Sequence, residues 1–267
     1  MAIIPRFILD SVVALGEQIA DNIFWIGTGF LVGRKEKDDD TRSTVYLITN
    51  KHVVKGKSHL QVRFNSNNNS VKDYTISLQN DTGKLYSEHR NADVIALNIN
   101  PAVLINDDSI FNFIDLEKAA LSINQMIETE VSEGNIVYAL GFPMNHVEVN
   151  RKTPIVRMDC ISRGANPLDG PMYFIIDAQV FPGNSGGPVI NRPEILSISG
   201  TKSNSSANLI GIVSAYIPYQ DKLQSVQSKK IVSIREENSG LTIVYPVDYI
   251  REVVESEYKR VSNSESD

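Results

Sequence analysis

The sequence predicts an all-β protein in which two β-barrels pack together and an α-helix follows them. Three observations predict this fold class: short β-branched and aromatic runs recur along the chain, they fall into two groups, and clear helical periodicity occurs near residue 250 alone. This pattern is typical of packed barrels and not of a βαβ sheet. No internal repeat of about 20 to 50 residues indicates a solenoid or propeller.

The first group of predicted strands consists of runs rich in Val, Ile, Leu, Phe and Tyr, bounded by polar segments. These strands are Ser11–Leu15, Phe24–Val32, Thr44–Thr49, His59–Phe64, Tyr74–Leu78 and Asp93–Ile99. The charge run Lys35–Asp40 predicts a solvated hairpin loop. The Asn- and Ser-rich stretch Asn65–Ser70 predicts another loop.

The second group of predicted strands follows a connector of mixed composition, Asn106–Glu133. Its strands are Ile136–Leu140, Ile155–Ile161, Met172–Ile176, Gly187–Ile190, Leu209–Ala215 and Leu241–Tyr245. The expected organisation is a first barrel at 1–115, a connector and second barrel at 116–245, and a helix with a polar tail at 246–267.

A helix is predicted over Pro246–Arg260. Proline suits the first turn of a helix, and Ile250, Val253 and Val254 share one face at i, i+3 and i+4 spacing. The polar segment Val261–Asp267 is expected to fray.

Composition excludes several classes of function. The 26 Lys and Arg against 32 Asp and Glu give a net charge of −6, so the chain lacks the basic surface that non-specific nucleic-acid binding requires. Cys160 is the only cysteine, which excludes an intrachain disulfide and a multi-cysteine zinc site. We expect no metal and no cofactor.

Hydropathy and the first residues predict a soluble, cytoplasmic protein that does not bind membranes. The longest uncharged window, Ser203–Gln220, is too polar to span a bilayer. Met1–Arg6 is short and mixed, and Asp10 interrupts the next apolar stretch, which is not typical of a signal peptide. A single cysteine also favours a reducing compartment.

The segment Phe181–Val189 (FPGNSGGPV) predicts a nucleophile at Ser185. Its glycines, Gly183, Gly186 and Gly187, permit backbone conformations and close ligand approach that other residues do not. Two N–H groups in one concavity would stabilise an oxyanion. A tight turn with an incidental serine is the better interpretation of an arbitrary G-x-S-x-G, but the longer P-G-N-S-G-G-P string favours catalysis.

The positions of the histidines relative to Ser185 in the sequence limit the kind of catalytic site that is possible. A serine nucleophile needs a base within hydrogen-bond reach and a group that orients that base. All four histidines, His52, His59, His89 and His146, precede Ser185. The α/β-hydrolase order of serine, acid and histidine is therefore excluded, whereas the order histidine, aspartate, serine is open.

Local context favours His52 as the base, because it directly follows the apolar strand Val45–Thr49, which can hold it rigidly. His59 and His89 lie in polar surroundings typical of a surface, and His146 follows a turn that could line a cleft.

Asp93 is favoured as the orienting acid, because it stands at the start of a strand where its carboxylate can be buried against an imidazole. Asp73, Asp81 and Asp177 are the competing carboxylates, and Asp177 lies close to Ser185 in sequence.

Together these motifs resemble those of the trypsin-like (chymotrypsin-fold) serine proteases, and most of all the disulfide-free bacterial Htr/Deg branch, without its PDZ domain. The segments that carry the resemblance run in order along the chain: GTGF at 27–30, TNKHVV at 49–54, DVIAL at 93–97, GNIVYALGFP at 134–143, PGNSGGP at 182–188 and GIVS at 211–214. The third has one residue more before its alanine than the family pattern.

The resemblance implies two six-stranded Greek-key barrels and a serine endopeptidase that forms an acyl-enzyme. Ser185 would be the nucleophile, His52 the general base and Asp93 the orienting carboxylate. The backbone N–H groups of Gly183 and Ser185 would form the oxyanion hole. A protein or peptide would be the substrate, and standalone relatives suggest an activating protein partner.

The resemblance also implies where substrate binds. Gln179 would floor the S1 pocket, and the strand Ser214, Ala215, Tyr216 would wall it and pair with the substrate backbone. No carboxylate is placed to pair with Lys or Arg at P1, and Tyr216 stands where broad-pocket members have glycine. We expect a small or medium apolar P1 residue, unless Tyr216 points away on a shifted strand.

One departure from the family concerns activation. Digestive members have Asp before the serine, which pairs with an N-terminus newly made by cleavage, whereas this chain has Asn184. We therefore expect activity without N-terminal cleavage. Two other functions fit the same residues: a catalytically silent binding module with a protease fold, and an esterase of small substrates.

Overall fold

Two β-sheet units and a C-terminal helix make up the fold, which confirms the predicted all-β class. The computed structural model describes residues 3–36, 39, 42–164, 172–194 and 201–264. Part of the predicted hairpin loop Lys35–Asp40 lies outside these residues, although its two flanking strands pair as expected.

The N-terminal unit is one sheet of nine strands beside a small two-stranded sheet. In chain order its strands are β1 (Val12–Ile19), β2 (Asn22–Lys35), β3 (Ser43–Thr49), β4 (His59–Ser66), β5 (Val71–Ser77), β6 (Gln79–Asn80), β7 (Gly83–Lys84), β8 (Ser87–Glu88), β9 (Ile95–Ile99), β10 (Ser109–Ile110) and β11 (Ile114–Asp115). The sheet order is β10-β4-β1-β2-β3-β9-β8, with β5 on β4 and β11 on β2, and β6 pairs with β7. Its six longer strands each overlap one of the six predicted strands. The bounds differ at two predicted starts, because Ser11 ends α1 and Asp93 lies in the turn before β9.

The second unit is a closed six-stranded barrel. Its strands are β12 (Ile136–Gly141), β13 (Ile155–Arg163), β14 (Phe174–Asp177), β15 (Pro188–Asn191), β16 (Leu209–Gln224) and β17 (Ile231–Pro246). They close in the order β12-β13-β14-β17-β16-β15. Each contains or overlaps a predicted strand.

The helices are short except for the one that follows the second barrel. They are α1 (Arg6–Ser11), α2 (Lys51–Val54), α3 (Pro101–Asn106), α4 (Ile123–Glu128), a 3₁₀ turn (Pro143–Asn145) and α5 (Val247–Ser264). The predicted face of α5 is buried, because Ile250, Val253 and Val254 are all at most 1% exposed. The helix α5 continues beyond the predicted end at Arg260 to Ser264, and 265–267 lie outside the described residues.

The buried apolar residues form three clusters, and one of these clusters contains residues of both units. Successive residues of a strand point to opposite faces, so Phe30 packs into a cluster shared with the second barrel and α5, whereas Leu31 packs inside the first unit. The shared cluster also takes in Leu140 and Ile212 of the second barrel. The strand β2 is thus buried on both faces, and one of its faces contributes to the cluster that the two units share.

A two-stranded ribbon extends from the second barrel. The predicted strands Leu209–Ala215 and Leu241–Tyr245 continue well beyond the barrel, to Gln224 in β16 and back to Ile231 in β17. We call residues 216–240 the ribbon. Its side chains are exposed on both faces, so it lacks the alternating pattern that a half-buried strand would show.

Candidate active site

His52 lies on the short helix α2, which begins immediately after β3. Asn50 precedes this helix and is fully buried, and its side-chain amide donates to the carbonyl of Asp93 at 2.6 Å. This bond joins the end of β3 to the turn before β9. As a result, the predicted base and acid lie side by side although 41 positions separate them.

The Asp93 carboxylate is held by three donors. Its Oδ2 lies 2.5 Å from His52 Nδ1 and accepts from the Ser214 hydroxyl at 3.3 Å, while its Oδ1 accepts from the His52 backbone N–H at 3.2 Å. Burial raises the pKa of Asp93, but the hydrogen bonds from His52 and Ser214 outweigh burial and leave that pKa below its ordinary value. An ionised Asp93 fixes the proton of His52 on Nδ1 and leaves Nε2 free to act as a base.

The turn that presents Asp93 is organised by His89, which is buried and not on the surface as its polar surroundings had predicted. Its Nδ1 accepts the backbone N–H groups of Asn91 at 3.2 Å and Ala92 at 2.9 Å. The ring proton must then sit on Nε2, which lies 2.8 Å from the carboxylate of Glu252 on α5. The imidazole also packs on Tyr249, with ring centroids 4.5 Å apart.

Ser185 lies in a glycine turn just before β15. Gly183 and Gly186 have φ of +100° and +84°, a region that side chains rarely adopt, and a Cβ on them would lie 2.3 Å from the Phe142 carbonyl oxygen and 2.1 Å from that of Thr28. The Ser185 carbonyl accepts the Thr28 N–H at 2.9 Å. The turn is thus locked against the β2 strand of the other unit.

The same turn leaves two backbone donors free. The Gly183 carbonyl is held by the Thr28 hydroxyl at 2.6 Å, and the Pro182 carbonyl accepts the Met144 N–H at 2.7 Å. In the part of the chain that the structure describes, the N–H groups of Gly183 and Ser185 donate to no other group. The carbonyls of Pro182 and Gly183 thus have partners within the protein, whereas the N–H groups of Gly183 and Ser185 are available to a ligand oxygen.

Hydrogen bonds connect Ser185 to the aspartate through Ser214. Ser185 Oγ donates to the Ser214 carbonyl at 3.4 Å, and the Ser214 hydroxyl reaches Asp93. Among the described contacts Ser185 Oγ makes no hydrogen bond to His52. In proteases of this kind the bond between the serine and the histidine is often looser before substrate binds.

The predicted substrate residues lie on the second barrel. Tyr216 is on β16 opposite Thr242 and is 39% exposed, next to the exposed Ala215. Gln179 is exposed between β14 and the serine turn, beside Gly240, where an added Cβ would lie 3.9 Å from Gln179 Cγ. Asn184 is buried at 5% exposure.

The competing histidines and carboxylates lie in other contacts. Asp73 forms a bidentate ion pair with Arg63 at 2.6–2.7 Å, and His59 contacts the neighbouring Ser58 hydroxyl. His146, Asp81 and Asp177 are exposed. Within the described residues no cluster of three His, Cys, Asp or Glu side chains could hold a metal ion.

Two β-units, in which Ser185 is linked through Ser214 to the Asp93 carboxylate that contacts His52, make an arrangement typical of trypsin-like proteases. Comparison with known families agrees. The sequence profile of the trypsin-like peptidase domain matches residues 27–194, and the chain belongs to this family. A search of curated proteins finds no match.

Solved protease structures share this fold. The serine endoprotease from Yersinia pestis is 17% identical with a TM-score of 0.52, over 95% of this chain and 65% of that one. The HtrA-type protease AlgW with a decapeptide is 16% identical with a TM-score of 0.54, over 94% of this chain and 65% of that one. The MamO protease domain from Magnetospirillum magneticum is 15% identical with a TM-score of 0.52, over 92% and 96%. This chain thus spans 65% of the length of the first two.

No helix among the described residues combines the length and the apolar character needed to cross a membrane.

Proposed function

We propose that this protein is a serine endopeptidase that cleaves protein or peptide substrates through Ser185, His52 and Asp93. The observation that carries the proposal is the 2.5 Å contact between His52 Nδ1 and Asp93 Oδ2, beside a serine turn with two free N–H groups. Membership of the trypsin-like peptidase family supports the same chemistry.

In the proposed mechanism, Ser185 Oγ attacks the scissile carbonyl carbon while His52 Nε2 takes the hydroxyl proton. The carbonyl oxygen becomes an oxyanion and accepts hydrogen bonds from the N–H groups of Gly183 and Ser185. The C–N bond then breaks as His52 returns the proton to the leaving amine. Water attacks the acyl-enzyme with His52 as base, which releases the carboxylic acid and restores Ser185.

The free N–H pair also bears on the two alternatives. A catalytically silent module would need neither the Asp93–His52 contact nor an open pair of donors at Gly183 and Ser185. An esterase would use the same residues, because ester and amide hydrolysis share the acyl-enzyme. Casein or a peptide compared with nitrophenyl esters distinguishes a peptidase from an esterase.

Covalent labelling tests the proposal directly. A fluorophosphonate probe should label Ser185, and Ser185→Ala should abolish labelling. Replacing Ser185 or His52 by Ala should lower kcat by about 10⁶, with the double variant little worse because the residues act as a unit. Asp93→Asn should lower kcat by about 10⁴ through the wrong imidazole tautomer.

Circular dichroism identical to that of the wild type is the control for folding of these variants. Full activity of Asp93→Asn would assign the orienting role to another carboxylate. No labelling under any condition, with or without candidate partners, would favour the silent module.

The proposal also includes how the enzyme becomes active. Asn184 carries no charge that could hold a new N-terminal ammonium, so activity should need no N-terminal cleavage. Instead, binding of substrate or of an activating protein partner would shift the population of molecules towards the ordered form of the site. A large gain in activity after N-terminal trimming would contradict this.

A further inference from the structure

A cavity of about 600 Å³ opens beside His52 and Asp93, which both line it. One of its walls is α2 with the turn that follows, and another is formed by residues between Leu78 and Glu88. Its volume lies within the range of about 300–1,000 Å³ that is typical of ligand sites. A peptide whose scissile bond lies at His52 therefore has neighbouring side chains within reach of this cavity.

Lysines outnumber carboxylates around the cavity. Its charged lining residues, His52 apart, are four lysines and two acids: Lys51, Lys55, Lys57, Lys84, Glu88 and Asp93. The whole chain has a net charge of −6, so the basic character of this cavity is local and does not follow from composition.

Both carboxylates of the cavity have partners within the protein. Glu88 pairs with Lys84, with 2.5 Å between carboxylate oxygen and ammonium. The Asp93 carboxylate accepts from His52 and Ser214. Neither acid is therefore available to neutralise the remaining lysines.

Two lysines of the cavity have no counter-charge. Lys57 pairs with Glu17, which lies outside the cavity, at 2.5 Å. In the part of the chain that the structure describes, Lys51 and Lys55 form neither an ion pair nor a side-chain hydrogen bond. Lys51 is half-buried and Lys55 is exposed. An anionic ligand would supply the charge that these two ammonium groups lack.

The backbone that carries Lys51 and Lys55 is fixed. Val54 is 1% exposed and anchors α2 in the core of the first unit. Its carbonyl accepts the Lys57 N–H at 3.2 Å, which closes the next turn, and Gly56 in that turn has a φ of +76°. The two free lysines are thus held beside His52 on a short rigid element.

The lining of the cavity also has an apolar part. Leu78 and Tyr86 are 1% and 8% exposed, and the Lys84 ammonium lies 5.4 Å from the centroid of the Tyr86 ring. Apolar surface beside ammonium groups suits a side chain with methylene groups and an anionic end. Glutamate has this form, and aspartate is its shorter equivalent.

We propose that Lys51 and Lys55 bind acidic side chains of the substrate, so that the enzyme prefers bonds with Glu or Asp within a few residues of the cleavage point. This inference rests on the proposed function and specifies its substrate class. Lys51 and Lys55 determine specificity, whereas the chemistry stays with Ser185, His52 and Asp93.

Peptides of matched sequence test the preference. With Val at P1, we place Glu, Gln or Lys in turn at each of three positions on either side of the scissile bond. At one or two adjacent positions Glu should raise kcat/KM about threefold to tenfold over Gln, the size expected of one or two solvent-exposed ion pairs, and Lys should lower it. At about 1 M NaCl the ratio of Glu to Gln should fall towards one, because salt screens the charges.

Charge reversal assigns the preference to the two lysines. Lys51→Glu with Lys55→Glu should cleave the Lys peptide faster than the Glu peptide, and Lys51→Gln with Lys55→Gln should bring the ratio of Glu to Gln to about one. Each ratio compares two substrates of one enzyme, so a general loss of activity from a change beside His52 cancels. Lys118→Glu with Lys222→Glu is the control, since both residues are exposed away from the cavity and the change in net charge is the same. It should keep the wild-type ratio.

Binding to Ser185→Ala separates this inference from the proposed function. Fluorescence anisotropy with the labelled Glu and Gln peptides should show the same preference without hydrolysis. Binding that favours Glu and depends on Lys51 and Lys55, in a wild type that cleaves no peptide, would disprove the proposed function and keep the acidic-ligand site. Peptide cleavage with equal rates and equal binding for Glu and Gln at every position would overturn this inference and leave the proposed function standing. A preference for Glu that persists in Lys51→Glu with Lys55→Glu would overturn it as well.

Discussion

The Asp93 carboxylate accepts hydrogen bonds from the ring and the backbone of His52 and from the Ser214 hydroxyl. These residues can be proposed from local sequence, because each lies in a short segment, at a strand end or in a glycine turn, whose pattern can be recognised by itself. Their mutual contact was inferred from family resemblance. The polar surroundings of His89 in the sequence predict a surface position for it, which is wrong. Its partner Glu252 lies 163 positions away, a separation at which no sequence periodicity connects two residues.

Tyr216 leads to a prediction about substrate preference. We expect Ala or Val at P1 to be cleaved faster than larger residues, with a graded preference because an apolar pocket discriminates by about 1–3 kcal/mol per methylene. Tyr216→Gly should admit larger P1 residues. A peptide library varied at P1 measures this.

Tyr219→Gly, further along the ribbon and 59% exposed, is the control for Tyr216→Gly and should leave the P1 profile unchanged. A library in which Lys or Arg at P1 is cleaved fastest would refute the assignment of Gln179 and Tyr216 to the pocket.

The turn between β8 and β9 presents the acid of the candidate site, and its shape depends on one buried ring. Two backbone N–H groups converge on His89 Nδ1, so the ring substitutes for the carbonyl acceptors that a regular turn would supply. The ribbon is another element that the sequence analysis does not predict. Both of its faces are exposed, so neither an apolar face nor an alternation marks it. The helices α1 to α4 are not predicted either, because each has at most six residues and is too short to show helical periodicity.

Replacing His89 by Phe keeps an aromatic ring against Tyr249 but leaves the N–H groups of Asn91 and Ala92 without their acceptor. We expect the free energy of unfolding to fall by about 1–3 kcal/mol, the cost of buried unpaired donors. We also expect kcat on a peptide substrate to fall with KM little changed, because Asp93 would no longer be held against His52.

His59→Phe is the comparison for His89→Phe, since that histidine is exposed at the start of β4, and it should behave as the wild type. Undiminished kcat in a destabilised His89→Phe would limit His89 to a structural role. Urea unfolding and initial-rate kinetics on the same preparations distinguish a purely structural role of His89 from a role in positioning Asp93.

At the scale of the molecule, a buried lysine ties the two β-units together. Lys152, from the segment between β12 and β13, is 2% exposed, and its ammonium donates to the carbonyls of Asp10 at 3.1 Å and Val12 at 2.6 Å. Its backbone exchanges two hydrogen bonds with the Asn65 side chain on β4. Sequence patterns predicted two six-stranded barrels, whereas in the described residues the first unit is a nine-stranded sheet and the second is a closed barrel. The attachment of the two units depends on long-range contacts such as these, which no local pattern encodes.

Burial lowers the pKa of Lys152 from 10.5 to about 7, although the nearby Asp10 acts to raise it. Between these values the unfolded chain binds one more proton than the folded protein, so stability should increase as the pH rises from about 7 towards 10. The expected slope from this group is at most about 1.4 kcal/mol per pH unit. Below pH 7 both states hold the proton and the contribution is constant.

Urea unfolding of the wild type and of Lys152→Met across this pH range measures the slope. The variant should be less dependent on pH than the wild type between pH 7 and 10. Lys118→Met, at an exposed position on the connector, should keep the wild-type dependence. If the free energy of unfolding changed with pH in the same way for the wild type and Lys152→Met, Lys152 would be shown to stay protonated in the folded protein.

Helix α5 follows both β-units in the chain, yet it packs against the first. Glu252 contacts His89 behind the Asp93 turn, and the fully buried Glu257 accepts from the Ser87 hydroxyl and the Asn98 backbone N–H on either side of that turn. During synthesis the first unit leaves the ribosome well before α5, and domains fold in the order in which they emerge. The Asp93 turn therefore acquires its final support only after both β-units have been synthesised. On the proposed function, a nascent chain would stay unable to cleave its neighbours on the same polysome until α5 has docked.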